Sequence, residues 1–232
     1  MPFLSSVGDV TELYLGTEGV ELDESNPENR FRLDWLTTVE EALDEVAAEP
    51  TRPLVITATG KFFTNGLDTD HILAAPKALP EYLDRVHALF SKVLTLPVPT
   101  VAAINGHAFG AGAMLALCAD YRLMRAERGF WSLPEVALGM PFPLGMSSLL
   151  RTRLPDQVAT EAMLTARRYS AADAHAGGIV EEAVGIDSLL ARAREVAAER
   201  APLAGPNLGE VKRNLRQPLI ADLQIAYPRT VL

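Results

Sequence analysis

At 232 residues the chain is long enough for one large domain that buries its own core, with no metal or disulfide to hold it. Its net charge of −9, from 21 basic and 30 acidic residues, argues against a nucleic-acid surface, which carries a basic stripe. The single cysteine, Cys118, cannot close an internal disulfide; one Cys and four His are too few for a zinc cage; and no apolar run approaches the roughly 20 residues of a bilayer span.

The first segment reads as a hairpin. Val10 to Leu15 alternates, Glu18-Gly19 marks a turn, and Val20-Glu21-Leu22 leads back. After a break at Asn26-Pro27, Phe31, Trp35, Leu36, Val39, Leu43 and Val46 recur at helical spacing. Leu54 to Ala58 is a short apolar run, read as a buried strand. It opens into a loop, Gly60 to Asp68, and a helix from Asp70 to Ala75. A second helical stripe carries Tyr82, Leu83, Val86, Leu89, Phe90 and Val93, and Pro97-Val98-Pro99 stops it. Thr100 to Ile104 is another buried strand. A glycine-rich turn, Asn105 to Gly112, follows, and then a small-residue helix from Ala113 to Ala119. Asp120 to Met124 and Phe130 to Ser132 are further strands, and Leu133 to Pro143 is irregular. Helices are predicted at Gly145 to Arg151, Asp156 to Ala166, Ala171 to Ala176 and Asp187 to Arg200, with a strand from Ile179 to Val184. Strands alternating with helices indicate an α/β fold. Pro202 to Pro206 is the only plausible boundary. It divides a core of residues 1–200 from a short helical tail, 201–232, that is too small to fold alone. In that tail the basic helix Leu208 to Arg216 is expected to end the ordered part.

Two strand-to-loop-to-helix junctions stand out. The first presents backbone N–H groups near Gly66 and Leu67. The second presents them near Gly110 to Gly112, at the positive end of the following helix. Two such donors converging on one oxygen make an oxyanion hole. A glycine-rich junction is more often only a tight turn, and neither segment fits a phosphate loop or a dinucleotide fingerprint.

Taken together and in this order, the junctions resemble those of the crotonase superfamily, the enoyl-CoA hydratases and isomerases. Gly60-Lys61-Phe62-Phe63-Thr64-Asn65-Gly66-Leu67-Asp68 is similar to that family's first oxyanion loop. Ala103-Ile104-Asn105-Gly106-His107-Ala108-Phe109-Gly110-Ala111-Gly112 is similar to the second. Asp120-Tyr121-Arg122-Leu123, Phe130 to Gly139 and Ala172 to Val180 continue the resemblance, which spans about residues 8 to 200. The first loop is most similar to that of peroxisomal-type and plant-type Δ3,Δ2-enoyl-CoA isomerases.

The resemblance implies a ClpP/crotonase-type spiral of ββα units with a helical C-terminal region, assembled as trimers or pairs of trimers. It implies an acyl-CoA thioester as substrate, with no further cofactor and no metal. The backbone N–H groups of Leu67 and Ala111 would bind the thioester oxygen; the second position is usually glycine in the family and is alanine here. Phe63, Thr64, Asn65, Gly66 and Leu67 would line the acyl-CoA site, and Lys61, Lys212 and Arg213 are candidates for the CoA phosphates. Glu135 falls at the acid/base position. Family hydratases carry a second glutamate where this chain has Met114. An isomerase needs one shuttling base, whereas a hydratase must also activate water. Met114 is expected to dry the pocket and raise the pKa of Glu135. Pro143 has no N–H with which to position a water.

The sequence thus points to an enoyl-CoA isomerase. A single-glutamate hydratase, another branch of the superfamily, or a non-catalytic acyl-CoA-binding paralogue are the alternatives. A Clp-type protease shares the spiral but would need a Ser-His-Asp set that the motifs lack. Asp68 and Asp70 read as helix caps, Asp120 as structural, and His107 as packing near the loop. Cys118, Trp35 and Trp131 read as core residues. With no basic and apolar leader, and with Thr230-Val231-Leu232 rather than a peroxisomal address at the end, the expected home is a cytoplasm.

Overall fold

The computed structural model describes residues 1–20 and 23–228. The chain opens with β1 (Phe3–Val7) and β2 (Val10–Tyr14), followed by α1 (Leu33–Ala48), β3 (Leu54–Thr57) and β4 (Phe62–Thr64). Next come α2 (Thr69–Ala74), α3 (Leu79–Thr95), β5 (Thr100–Ile104), β6 (His107–Phe109) and α4 (Ala111–Cys118). β7 (Tyr121–Arg125) and β8 (Trp131–Ser132) precede α5 (Leu144–Arg153) and α6 (Asp156–Thr165). β9 (Arg168–Tyr169), α7 (Ala171–Ala176), β10 (Glu182–Val184), α8 (Ile186–Arg200), α9 (Pro206–Leu215) and α10 (Gln217–Leu223) complete the set.

Two sheets form. The larger runs β1-β2-β3-β5-β7-β10, parallel except for the β1–β2 hairpin. The smaller runs β4-β6-β8-β9, parallel except for its last pair. Three times a strand of the large sheet turns into a strand of the small one and then into a helix: β3-β4-α2, β5-β6-α4 and β7-β8-α5. This is the expected repeating ββα spiral.

The central strands read as unbroken apolar runs because both faces of the large sheet are covered. Leu54, Ile56, Ala102 and Ile104 face the main core, with the buried stripes of α1 and α3. Val55, Val101, Ala103 and Leu123 face the other way, onto Leu189, Ala193, Val196 and Ala197 of α8. All eight residues of α4 are buried, so this helix has no polar face and no periodicity to read. No helix among the described residues is long and apolar enough to cross a membrane.

Several expectations need correction. The hairpin partner of β2 is the upstream strand β1, and its other edge pairs with β3; of the expected return segment, Glu21 and Leu22 lie outside the described residues, as do Thr230 to Leu232. Both glycine-rich segments contain a strand, β4 and β6, where only loop was expected; each is three residues long and too short to show alternation. The strand predicted from Ile179 starts at Glu182, because Ile179 and Val180 turn back to bond the Ala174 carbonyl. Asp70 lies inside α2, and Asp68 alone caps it, accepting the His71 N–H.

Order does not end at Arg216. In α10, Leu219 and Leu223 are buried, and the helix packs on α5 and α3. The tail is held at Asp120. Lys212 donates to the Val98 carbonyl at 2.7 Å and pairs with Asp120 at 2.5 Å, while Arg216 reaches Asp120 at 2.8 Å and also the Leu94 carbonyl. Burial works against the Asp120 carboxylate, but Lys212 and Arg216 outweigh it and hold its pKa below the usual range. Asp120→Ala would leave two buried cations without their carboxylate, so it is expected to cost about 3 kcal/mol. Urea unfolding of the variant measures that loss.

Candidate active site

The first junction is built on Asn29, which sequence reasoning missed. It sits at φ +51°, a left-handed conformation that asparagine tolerates better than most residues. Its buried Nδ2 donates to the carbonyls of Phe62 at 3.3 Å and Phe63 at 3.1 Å. In return Thr64 Oγ1 donates to the Asn29 carbonyl at 2.6 Å and accepts the Gly66 N–H at 3.0 Å. Phe31 N–H then takes the Gly66 carbonyl at 2.8 Å. A trans peptide places its N–H opposite its C=O. Fixing the Gly66 carbonyl toward Phe31 therefore aims the Leu67 N–H the other way.

The second junction starts at Gly110, whose φ of +53° turns β6 into α4 and whose N–H donates to the Ser132 carbonyl at 3.0 Å. The Gly110 carbonyl takes the Met114 N–H at 3.1 Å, the first bond of α4, so the Ala111 N–H points out of the helix start. The junctions touch backbone to backbone. At Gly66, φ is +78°, and a Cβ there would lie 2.7 Å from the Phe109 carbonyl and 2.8 Å from the Ala111 nitrogen. Among the described residues, neither the Leu67 N–H nor the Ala111 N–H meets an acceptor.

Glu135 comes to the same place. It begins a short 3-10 turn, Glu135–Leu138, closed by Met140 N–H on the Glu135 carbonyl at 2.9 Å. Its Oε1 lies 3.1 Å from where a Cβ on Gly110 would be. Its Oε2 is buried with no hydrogen-bond partner. Burial pushes this carboxyl up to about 7, and no charged side chain among the described residues contributes to the shift.

The other expected residues divide. Met114 is fully buried in α4, one turn after the second junction. Pro143 precedes α5, and its carbonyl accepts the Ser147 N–H at 2.9 Å. Phe63 and Thr64 do not line a ligand surface with their side chains: both are completely buried, and the threonine hydroxyl is spent on the loop. The Asn65 amide is held by Glu28 Oε2 at 2.9 Å. Lys212 cannot reach a phosphate as expected, because it is buried against Val98 and Asp120, whereas Lys61 and Arg213 are exposed. His107 packs among Phe62, Phe109 and Phe130.

Volume and chemistry part company. A cavity of about 640 Å³ lies at the carboxyl ends of β2, β3, β5 and β7, lined by Phe3, Tyr14 and Arg125 among others, and contains none of the residues above. The carboxyl that lines it, Glu18, is exposed, unlike that of Glu135. A smaller cavity of about 370 Å³ is lined by Arg30 and Arg32, two cations the sequence reading did not single out, and by the carboxylates Glu28, Asp68 and Asp70.

The model of the enoyl-CoA hydratase/isomerase family matches residues 16–226. The chain is 34% identical over 165 residues to the peroxisomal enoyl-CoA delta isomerase 2 of Arabidopsis thaliana, covering 67% of this chain and 69% of that protein. It is 36% identical over 166 residues to a carnitinyl-CoA dehydratase of Salmonella typhi, covering 70% of this chain and 63% of the other. A crystal structure of a probable enoyl-CoA hydratase of Mycobacterium tuberculosis superposes with a TM-score of 0.86 at 23% identity, over 97% of this chain and 92% of that one.

The contact between the junctions can be tested against simple backbone strain. Gly66→Ala adds both a disfavoured φ and a backbone clash, and is expected to cost about 2–4 kcal/mol in urea unfolding. Gly139→Ala has a similar φ of +67° but open space around its Cβ, and should cost only about 1 kcal/mol.

Proposed function

The chain belongs to the enoyl-CoA hydratase/isomerase family, and within it we propose that this protein is an enoyl-CoA isomerase that moves a C3 double bond to C2 of an acyl-CoA thioester. The observation that carries the reading is Glu135: a single half-buried carboxyl, set against Gly110, with no charged neighbour to pin it as an anion. A proton shuttle working near neutrality needs a pKa near 7, and burial supplies it.

In this mechanism the thioester oxygen accepts the N–H groups of Leu67 and Ala111. Glu135 takes a proton from C2, and the electron pair moves into the carbonyl to give a dienolate. The two N–H groups, with the N-terminal end of α4 behind them, hold the new oxyanion. The protonated Glu135 then gives its proton to C4, and the double bond comes to rest between C2 and C3. No proton is gained or lost overall, and one carboxyl serves both steps. Met114 supports this branch, because a buried thioether stands where a hydratase of the family carries its second carboxylate. Lys61 and Arg213, both exposed, are the candidates for the CoA phosphates, whereas Arg30 and Arg32 already pair with Glu28 and Asp34. A trimer of this chain belongs to the same proposal, and sedimentation velocity reads it.

The second reading, hydration or dehydration at the same site, is favoured by the 36% identity to a carnitinyl-CoA dehydratase. Product analysis with 3-hexenoyl-CoA and crotonyl-CoA separates the two. The isomerase converts the first to its 2-enoyl isomer and makes no 3-hydroxyacyl product from either. A 3-hydroxyacyl product from crotonyl-CoA would establish the second reading, and no turnover of either ester would point to a binding-only role.

Glu135→Gln is expected to lower kcat by about 10²–10⁴-fold with the fold intact, as loss of a general base does. The base must be ionised to take the C2 proton. The raised pKa therefore predicts that kcat/KM climbs as pH rises through about 7 and levels above it. A pH–rate profile with its limb near the ordinary carboxyl value would contradict this.

A further inference from the structure

The Leu67 N–H belongs to the Gly66–Leu67 peptide, whose carbonyl is tied to Phe31, and the peptide that follows Leu67 is tied to the same residue. Phe31 and Leu67 form an isolated parallel bridge. Regular parallel pairing would give two direct bonds, Phe31 N–H to the Gly66 carbonyl and Asp68 N–H to the Phe31 carbonyl. Only the first is direct, at 2.8 Å. In the second, the Tyr82 hydroxyl is inserted. It accepts the Asp68 N–H at 2.8 Å and donates to the Phe31 carbonyl at 2.9 Å.

We propose that Tyr82 is a positioning residue for the oxyanion donor at Leu67, its hydroxyl acting as a one-atom spacer that, together with the Phe31–Gly66 bond, sets the direction of that N–H. The proposal rests on the isomerase reading and deepens it. Tyr82 comes from the predicted core stripe of α3 and is only 3% exposed, so its ring is fixed by packing. A phenol both accepts and donates, and this site uses both capacities at once. Burial also pushes the Tyr82 phenol well above its ordinary value, so it stays protonated at working pH. Removing the oxygen leaves the strand two courses. Either Asp68 N–H and the Phe31 carbonyl stay apart and unpaired, or the strand after Leu67 closes onto Phe31. Each course releases or turns the peptide that follows Leu67. The Asn29 and Thr64 bonds that dock the loop do not involve Tyr82.

The test is Tyr82→Phe. Because the hydroxyl acts on the oxyanion and not on CoA binding, kcat is expected to fall about 10- to 100-fold while KM stays within about twofold. A spectroscopic signature goes with it. Two N–H groups on a conjugated thioester carbonyl polarise it and move its absorption to longer wavelength. The wild type should therefore red-shift the band of saturating 2,4-hexadienoyl-CoA, and Tyr82→Phe should show a smaller shift at equal occupancy. The shift is read per bound ligand, so partial unfolding does not imitate it. Should the phenylalanine variant not fold, site-specific 3-fluorotyrosine at position 82 keeps ring and hydroxyl but weakens the oxygen as an acceptor. It carries the same expectation at smaller amplitude. An unchanged kcat and a full red shift in a folded variant, beside an active wild type, would overturn the proposal alone. So would a loss of activity that merely follows lost affinity and stability. A wild type that neither shifts the band nor isomerises 3-hexenoyl-CoA would overturn the functional reading and the proposal with it.

Discussion

The structure depends on one backbone-to-backbone contact. Where Gly66 meets Phe109 and Ala111, two segments about forty residues apart approach more closely than side chains allow. Everything nearby serves that approach. Asn29 and Thr64 brace one side, and Gly110 with its bond to Ser132 braces the other. Backbone donors suit an oxyanion because they are fixed before the charge forms and need no reorganisation when it appears. They also carry no charge of their own, so a neighbouring carboxyl can sit half-buried without a partner. That is the environment of Glu135.

The same logic explains why the site is apolar behind its donors. α4 is buried along its whole length and brings Met114 up beneath the second junction. A charged side chain at that position would stabilise or repel the Glu135 anion and move its pKa away from neutrality. The low dielectric that raises the carboxyl also strengthens whatever the free N–H groups bind.

Much of this was legible in the chain. The stripes of α1 and α3 gave their helices because one face of each is buried. The runs at Leu54 and Thr100 gave strands because both faces of their sheet are covered. The junctions at Gly66 and Gly110 were legible as strand-to-loop-to-helix turns, while their joint role and that of Glu135 were legible only through a resemblance. Most of what escaped depends on very short strands or on contacts distant in sequence; the β1–β2 hairpin, closed locally at Gly8-Asp9, is the exception. β4 and β6 are too short to alternate, and β1 pairs upstream of where the turn signal pointed. Asn29 shows no local pattern; its role exists only once residues 62 to 64 lie across from it. Lys212 looked like a surface cation in a basic helix, and only the fold reveals that Asp120 draws it inward. Tyr82 announced itself as core, which it is, while its hydroxyl does something a stripe of apolar residues cannot reveal.

The wide spacing of these parts has a consequence for how the molecule comes into being. Residues 29 to 31, 62 to 67, 110 to 114 and 135 must all be in place before the two donors and the carboxyl face one another. None of these segments is held by a local hairpin or a long amphipathic helix of its own. Closing such loops costs entropy before any contact repays it, so assembly falls late along the folding route. A nascent chain that has not yet delivered Glu135 and the β8 strand before it has only half a cradle. α4, with no polar face, is then an exposed apolar segment in need of cover. Compaction and the assembly of the candidate site therefore arrive together.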